Sequence, residues 1–154
     1  MTSSEDWRAK RNLVLVALLE GQKSASDIAS RTGLQRFEVE ATLLSLAASG
    51  LVREQEVKGL FTRKTVYSLT ELGTREAEAA KRELEKVAEE IRSVAERGDV
   101  EGLQSLLASY QLLLPMLLNL HLIDLFLLQG LGYAPADDLT GELDVGEDAG
   151  AAEF

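Results

Sequence analysis

Between Leu103 and Leu131 the chain carries fourteen leucines, one acidic residue and no lysine or arginine. Up to Tyr110 a stripe can be drawn through Leu103, Leu106, Leu107 and Tyr110, but beyond Leu112 apolar residues occupy the whole circumference of a helix. A surface helix does not tolerate that, so the segment has to be covered. The covers, in order of preference, are a second copy of the chain, the chain's own N-terminal domain and a membrane surface. The stretch from Leu112 to Leu128 is interrupted by Pro115, Asn119, His121 and Asp124, and a carboxylate is expensive in lipid. A surface anchor would need a basic polar face, and no Lys or Arg follows Arg97. No membrane partner is therefore expected. Pro115 is expected to kink this helix, because it removes a backbone donor and crowds the preceding turn. His121 and Asp124, three residues apart, are placed to hydrogen-bond to each other, and two such groups do not make a metal site.

The 154 residues include no cysteine and one histidine, which excludes disulfides, thiolate metal sites, cysteine nucleophiles and histidine clusters. No glycine-rich phosphate loop follows a strand and no nucleophile elbow occurs, so no catalytic residue, metal or cofactor is expected and the chain is not read as an enzyme. The net charge of -10 is unevenly spread: residues 1–69 sum to +2 and residues 70–154 to -12. A uniformly basic nucleic-acid coat is ruled out, and any polyanion would have to meet the N-terminal half. The opening MTSSEDWRAKRN has acids and an aromatic residue where a secretory signal needs a basic start and an apolar run, so a cytoplasmic location is expected.

Dense apolar residues from Leu13 to Leu19, stopped by Gly21, predict a mostly buried first helix. Ser24 is a candidate N-cap, with Asp27 favouring the positive end of a short second helix that Gly33 terminates. Val39, Leu43 and Leu46 recur at helical spacing in a third helix ending at Ser49-Gly50. The period then switches to extended at 51–57 and 65–69, and the intervening KGLFTRK predicts a hairpin with a basic tip. Thr70 caps a charged helix to Arg97, in which Ala77, Ala80, Leu84, Val87, Ile91 and Val94 form a heptad seam, with Glu71/Arg75 and Glu78/Arg82 pairs on the opposite face. Gly98 and Asp99 end that helix and cap the next. Residues 134–154 hold seven acids and no base and are expected to be disordered.

Helix, helix, turn, helix, then a two-stranded wing is the order of the winged helix-turn-helix. Three segments within 10–75 resemble that family: SASDIASRTGL at 24–34, the LLSLAASGLV run ending at Val52, and YSLTELG at 67–73. The last is similar to the Tyr-x-Leu-Thr-x-x-Gly signature that closes the wing in PadR-like and MarR-like regulators. The resemblance implies a mostly α fold with a small β-wing followed by long C-terminal helices. It divides the chain into a winged-helix DNA-binding domain at 1–70, a helical dimerisation arm at 71–133 and the acidic tail at 134–154. It also implies a transcriptional regulator that binds double-stranded DNA as a homodimer, with Leu84, Val87, Ile91, Leu113, Leu117, Leu120 and Leu128 as dimerisation residues.

The third helix would then present Gln35, Arg36, Phe37, Glu40, Ala41 and Leu44. Arg36 and Gln35 suit guanine and adenine edges, while Arg31 and the wing residues Lys58, Arg63 and Lys64 suit phosphates; Arg8, Lys10 and Arg11 add charge on helix one. Gln35 stands where the family usually has a Ser or Thr cap. Glu38 and Glu40 oppose phosphate, and Phe37, Ala41, Leu44 and Ala48 form a second apolar stripe. That stripe supports an alternative class of function: a winged-helix docking module of a transcription, replication or division assembly, holding a protein partner through Phe37 and Leu44.

Overall fold

The computed structural model describes residues 3–126; Leu128 and the acidic stretch 134–154 lie outside the described residues. Helix α1 (Ser3–Leu19) places Glu5 and Asp6 at the positive end of its dipole. From Leu13 to Leu18 each of its side chains is 3% exposed or less. A helix without an exposed face in this stretch has to be enclosed, and α2 (Ala25–Thr32), α3 (Arg36–Ala48) and α4 (Glu71–Glu96) all pack on it.

Local chemistry sets the joints between these helices. Ser24 caps α2 by accepting the Asp27 N–H at 3.2 Å. The helix ends at Gly33, whose φ of 81° lies in the left-handed region. Buried Thr32 donates its hydroxyl to the Ile28 carbonyl at 2.8 Å and accepts the Leu34 N–H at 3.2 Å, so a side chain closes the turn into α3. Helix α3 then buries Val39, Thr42, Leu43 and Leu46.

Strands β1 (Val52–Lys58) and β2 (Arg63–Leu69) pair antiparallel, with Val52 opposite Leu69 and Lys58 opposite Arg63. At its root the hairpin is pinned by Lys23, which exchanges backbone hydrogen bonds with Tyr67 at 2.8 and 3.1 Å. Thr70 joins wing to helix: its hydroxyl donates to the Gly50 carbonyl at 2.7 Å and accepts the Gly73 N–H at 3.0 Å, while its own N–H reaches the Leu51 carbonyl at 3.0 Å. A Cβ on Gly73 would stand 1.9 Å from the Leu51 oxygen. The Thr-x-x-Gly spacing is thus a steric requirement of the first turn of α4 against the Leu51 backbone between α3 and β1.

The predicted order of elements and the mostly helical class with one small antiparallel hairpin are observed. The C-terminal region differs from expectation. In α4, Ala77, Ala80, Leu84 and Ile91 are buried, but Ala88 and Ala95 complete the row in place of Val87 and Val94. This seam packs on α1 and on α5 (Val100–Ser109) of the same chain. Ion pairs cross to α1, Arg8 to Glu83 at 2.6 Å and Arg11 to Glu76 at 2.8 Å, in place of the expected Glu71/Arg75 and Glu78/Arg82 pairs.

The leucine-rich stretch is not one kinked helix. Helix α5 ends at Ser109, Gln111–Leu113 form a 3-10 turn, and α6 (Leu114–Asn119) has Pro115 in its first turn. Proline lacks a donor that the first turn does not use, so Pro115 starts a helix and kinks none. Broken this way, the run folds back on the chain: α6 rests on α2, and Asn119 donates its side-chain N–H to the Arg31 carbonyl at 2.6 Å. His121, with φ of 59°, follows α6, and Asp124 accepts the Phe126 N–H at 2.9 Å and does not bond to His121. Of the expected intersubunit residues, Leu84, Ile91 and Leu117 are 2%, 0% and 0% exposed within a single chain. Val87, Leu113 and Leu120 are half-buried at the edge of the same core. The cover for these leucines is the chain's own helices, because short segments meet several neighbours where a long helix would meet one.

Docking of α6 is testable at Gly33, where an added Cβ would lie 2.7 Å from Pro115; Gly50 has a similar φ of 77° and nothing within 4 Å. Gly50→Ala is expected to cost about 1–2 kcal/mol for the left-handed backbone alone. Gly33→Ala should cost clearly more in urea unfolding. Equal losses would show that α6 does not rest on α2.

Candidate nucleic-acid interface

Helix α3 emerges with Arg36, Phe37, Glu40, Ala41, Leu44 and Ser45 exposed. Its start is secured by an unexpected pair of residues. The Gln35 N–H donates to Glu38 Oε1 at 3.0 Å, the reciprocal half of a capping box. Glu38 also receives Lys10 of α1 at 2.9 Å. The hydrogen bond from Gln35 and the Lys10 ammonium hold the Glu38 carboxyl below the usual carboxylate range. Glu38 was expected to repel phosphate on the outer face; it is half-buried and faces α1 instead, since the N3 position of a helix turns back to its own cap. Lys10 is correspondingly withdrawn from any ligand.

Beside α3 lies a polar cleft of about 450 Å³ lined by Ser24, Ala25, Ser26, Arg36, Glu40, Arg63, Lys64, Thr65 and Tyr67. Three segments distant in sequence meet there: the capped N-terminus of α2, the first turns of α3 and β2 from Arg63 to Tyr67. Arg36, Arg63 and Lys64, named from sequence, are thus brought together. Each cation is lightly held: Arg36 by Glu40 at 3.1 Å, Arg63 by Glu56 at 4.0 Å, Lys64 by Asp27 at 3.8 Å, all with exposed side chains. Exposed pairs of this kind are worth about 0.2–1 kcal/mol, so the cations can exchange these carboxylates for another anion at small cost. Lys58, further along β1, enters no ion pair among the described residues.

Arg31 is different. Its guanidinium makes a two-pronged contact with Glu20, through Nε at 2.9 Å and a second N–H, and Lys23 reaches the same carboxylate at 3.3 Å. The Arg31 hydrogen bond is the main cause of a lowered Glu20 pKa and of a raised Arg31 pKa. Arg31 joins the end of α1 to α2 and does not line the cleft; Gln35, exposed, does not line it either. Residues the sequence reading missed are Ser26, Thr65 and Tyr67. Only the β2 register and the Lys23 bridge bring them to α3, and no local pattern marks them. The wing tip also differs from the basic tip expected. Its outermost residues are Leu60 and Phe61, both 92% exposed, and the cations flank them.

No family model matches the chain, and no curated protein matches it in sequence. Among solved structures, the chain is similar to Lactococcus lactis ZitR in its apo C30AH42A form, at 17% identity and a TM-score of 0.53, covering 70% of this chain and 83% of that one. It is also similar to wild-type ZitR in complex with DNA, at 17% identity and a TM-score of 0.51, covering 67% and 70%. The shared property is the fold. Among the described residues no helix is long and apolar enough to cross a membrane, and no three His, Cys, Asp or Glu are placed to hold a metal.

The lowered pKa values of Glu20 and Glu38 give stability a pH dependence of definite sign. A carboxyl whose folded pKa lies below its ordinary value of 4.5 stabilises fully above that value and loses the contribution as pH falls through the lowered one. Urea stability should be level near neutrality and decline from about pH 5 downward. Glu38→Ala should cost about 1 kcal/mol at pH 7, typical of a lost helix cap, and make the acid decline shallower; an unchanged decline would remove Glu38 from this account.

Proposed function

We propose that this protein is a cytoplasmic, homodimeric DNA-binding transcriptional regulator of the PadR-like or MarR-like kind, and not an enzyme. Residues 1–70 bind the duplex and residues 71–133 hold the second copy. The observation that carries the reading is the convergence of Arg36 with Arg63 and Lys64 in one cleft between helix and wing. The fold is shared with a protein whose structure was solved in complex with DNA. In this assignment Arg36 reads a base edge in the major groove, Gln35 stands beside it, and Lys58, Arg63 and Lys64 contact phosphates. Arg31 acts by fixing α2 through Glu20.

Binding through about three phosphates per copy gives a log-log salt slope of about -3, so affinity depends on two copies engaging two half-sites. The second copy has a surface to meet. An apolar groove of about 260 Å³ between α1, α4 and the 3-10 turn is lined by Ala9, Leu84, Val87, Tyr110, Leu112 and Leu113, and half-buried Leu120 lies at the edge of the same core. Completing the burial of half-buried Val87, Leu112, Leu113 and Leu120, each worth a part of the roughly 2 kcal/mol of full burial, supports association at micromolar concentration. Sedimentation of a monomer at that concentration would overturn the dimer.

A second reading rests on Phe37 and Leu44, 66% and 75% exposed on α3, as contacts for a protein partner. The two readings separate by mutation. On duplexes from around its own gene, Arg36→Ala should cost about 1–3 kcal/mol on the preferred site and less on random DNA, while Lys64→Ala should weaken both alike. Fluorescence anisotropy at low salt measures this. An Arg36→Ala variant that binds every duplex like the wild type, with Phe37→Ala or Leu44→Ala releasing a pulled-down protein, would replace the regulator by the docking module.

A further inference from the structure

We propose that Leu60 and Phe61 form an apolar wedge that the hairpin inserts into the minor groove, opening a base step and bending the duplex. The inference rests on the DNA-binding reading above and assigns a role to residues that reading leaves unused.

Both side chains are 92% exposed, more than any other large apolar residue among those described. The turn that presents them is closed by the Gly59 N–H on the Thr62 carbonyl at 2.7 Å, which keeps the pair at the far end of the hairpin. Nothing in the described chain comes out to meet them: β1 is exposed at every residue beyond Val52, and the last buried side chain on β2 is Val66. Beyond Arg63, the outermost cleft-lining residue of the strand, the tip runs on by about 7 Å at strand rise to Phe61, and the Leu60 and Phe61 side chains add their own length toward the floor of a minor groove about 7.5 Å deep.

The surroundings select a polyanion over other apolar acceptors. Lys58, Arg63 and Lys64 flank the pair, and no acid occurs from Val57 to Tyr67. Cations on either side of a projecting apolar tip match two phosphate rows on either side of a groove. The tip-side end of the same strand, at Arg63, Lys64 and Thr65, lines the cleft with Arg36. A helix seated in the major groove therefore carries the tip across the intervening phosphates toward the neighbouring minor groove. Leucine and phenylalanine are the side chains that wedge between base steps there, kinking duplexes by about 20–90°. A lipid surface would also accept such a tip; the duplex is favoured because exposed Arg36 on α3 shares one cleft with Arg63 and Lys64, so that helix and tip engage one ligand together.

The full-length protein is added to relaxed closed-circular plasmid with a topoisomerase, which needs no knowledge of an operator, and in parallel its affinity for duplex DNA is measured by anisotropy. The wild type should unwind the plasmid and shift its topoisomers. Phe61→Ala and Leu60→Ala should lose the shift and bind at least about tenfold more weakly, with unchanged melting temperature, because both side chains are exposed. Phe61→Leu should keep part of the shift. A wild type that binds DNA without moving the topoisomers, or variants that still move them, overturns the wedge and leaves the DNA-binding reading standing. A wild type that binds no DNA overturns both. Cosedimentation with phosphatidylcholine–phosphatidylglycerol vesicles that is lost in Phe61→Ala assigns the tip to lipid and overturns the wedge.

Discussion

Helix α1 has no outside between Leu13 and Leu18, and most of the architecture follows from enclosing it. Amphipathic helices need one neighbour; a helix that is apolar all round needs several. The helix-turn-helix supplies α2 and α3 on one side and the seam of α4 supplies another. Because α4 is recruited to α1, its small residues Ala77, Ala80, Ala88 and Ala95 face inward, where a close approach of backbones favours them over bulkier valines. The Arg8–Glu83 and Arg11–Glu76 pairs then fasten the rim of that contact. Stretches far apart in sequence, in α1 and α4, thus share one core.

The electrostatics have the same economy. Ten cations and eight acids in residues 1–69 leave little excess charge, and the structure sorts them by how firmly they are held. Arg31, Lys23 and Lys10 are locked to partly buried Glu20 and Glu38, where they orient helices. Arg36, Arg63 and Lys64 meet exposed carboxylates at 3.1 to 4.0 Å, an arrangement that keeps the cleft from repelling itself and yields readily to an incoming anion. Net charge alone would have made this a poor candidate for DNA; the distribution of strong and weak pairs makes it a reasonable one.

Among the apolar side chains that remain outside, Phe37 and Leu44 on α3 and Leu60 and Phe61 on the wing stand on the two elements that flank the polar cleft. Two conformationally fixed elements, a capped helix and a hairpin pinned by Lys23, present them. A surface with cations at its centre and apolar groups on its projections suits a ligand that offers both charge and a stacked hydrophobic interior.

The helix boundaries and the wing were legible in the sequence because they depend on neighbours in the chain: Ser24, Thr70 and Asp99 cap their own helices, Gly33 takes a left-handed conformation, and the period change at residue 51 marks the strand. The exposed face of α3 and the candidates Arg36, Arg63 and Lys64 were legible for the same reason, since helical and strand periodicity fix which side chains turn outward. What tertiary structure alone decided was the choice of partner for each of those faces. Sequence periodicity marks Leu84, Ile91 and Leu117 as needing cover without saying that α1, α2 and α5 of the same chain provide it. It marks Arg31 and Glu38 as charged without saying that Glu20 and Lys10 neutralise them. Covering and pairing are contacts between separate elements, set by how the helices pack and by where α6, started at Pro115, comes to rest on α2, and no local pattern carries that information.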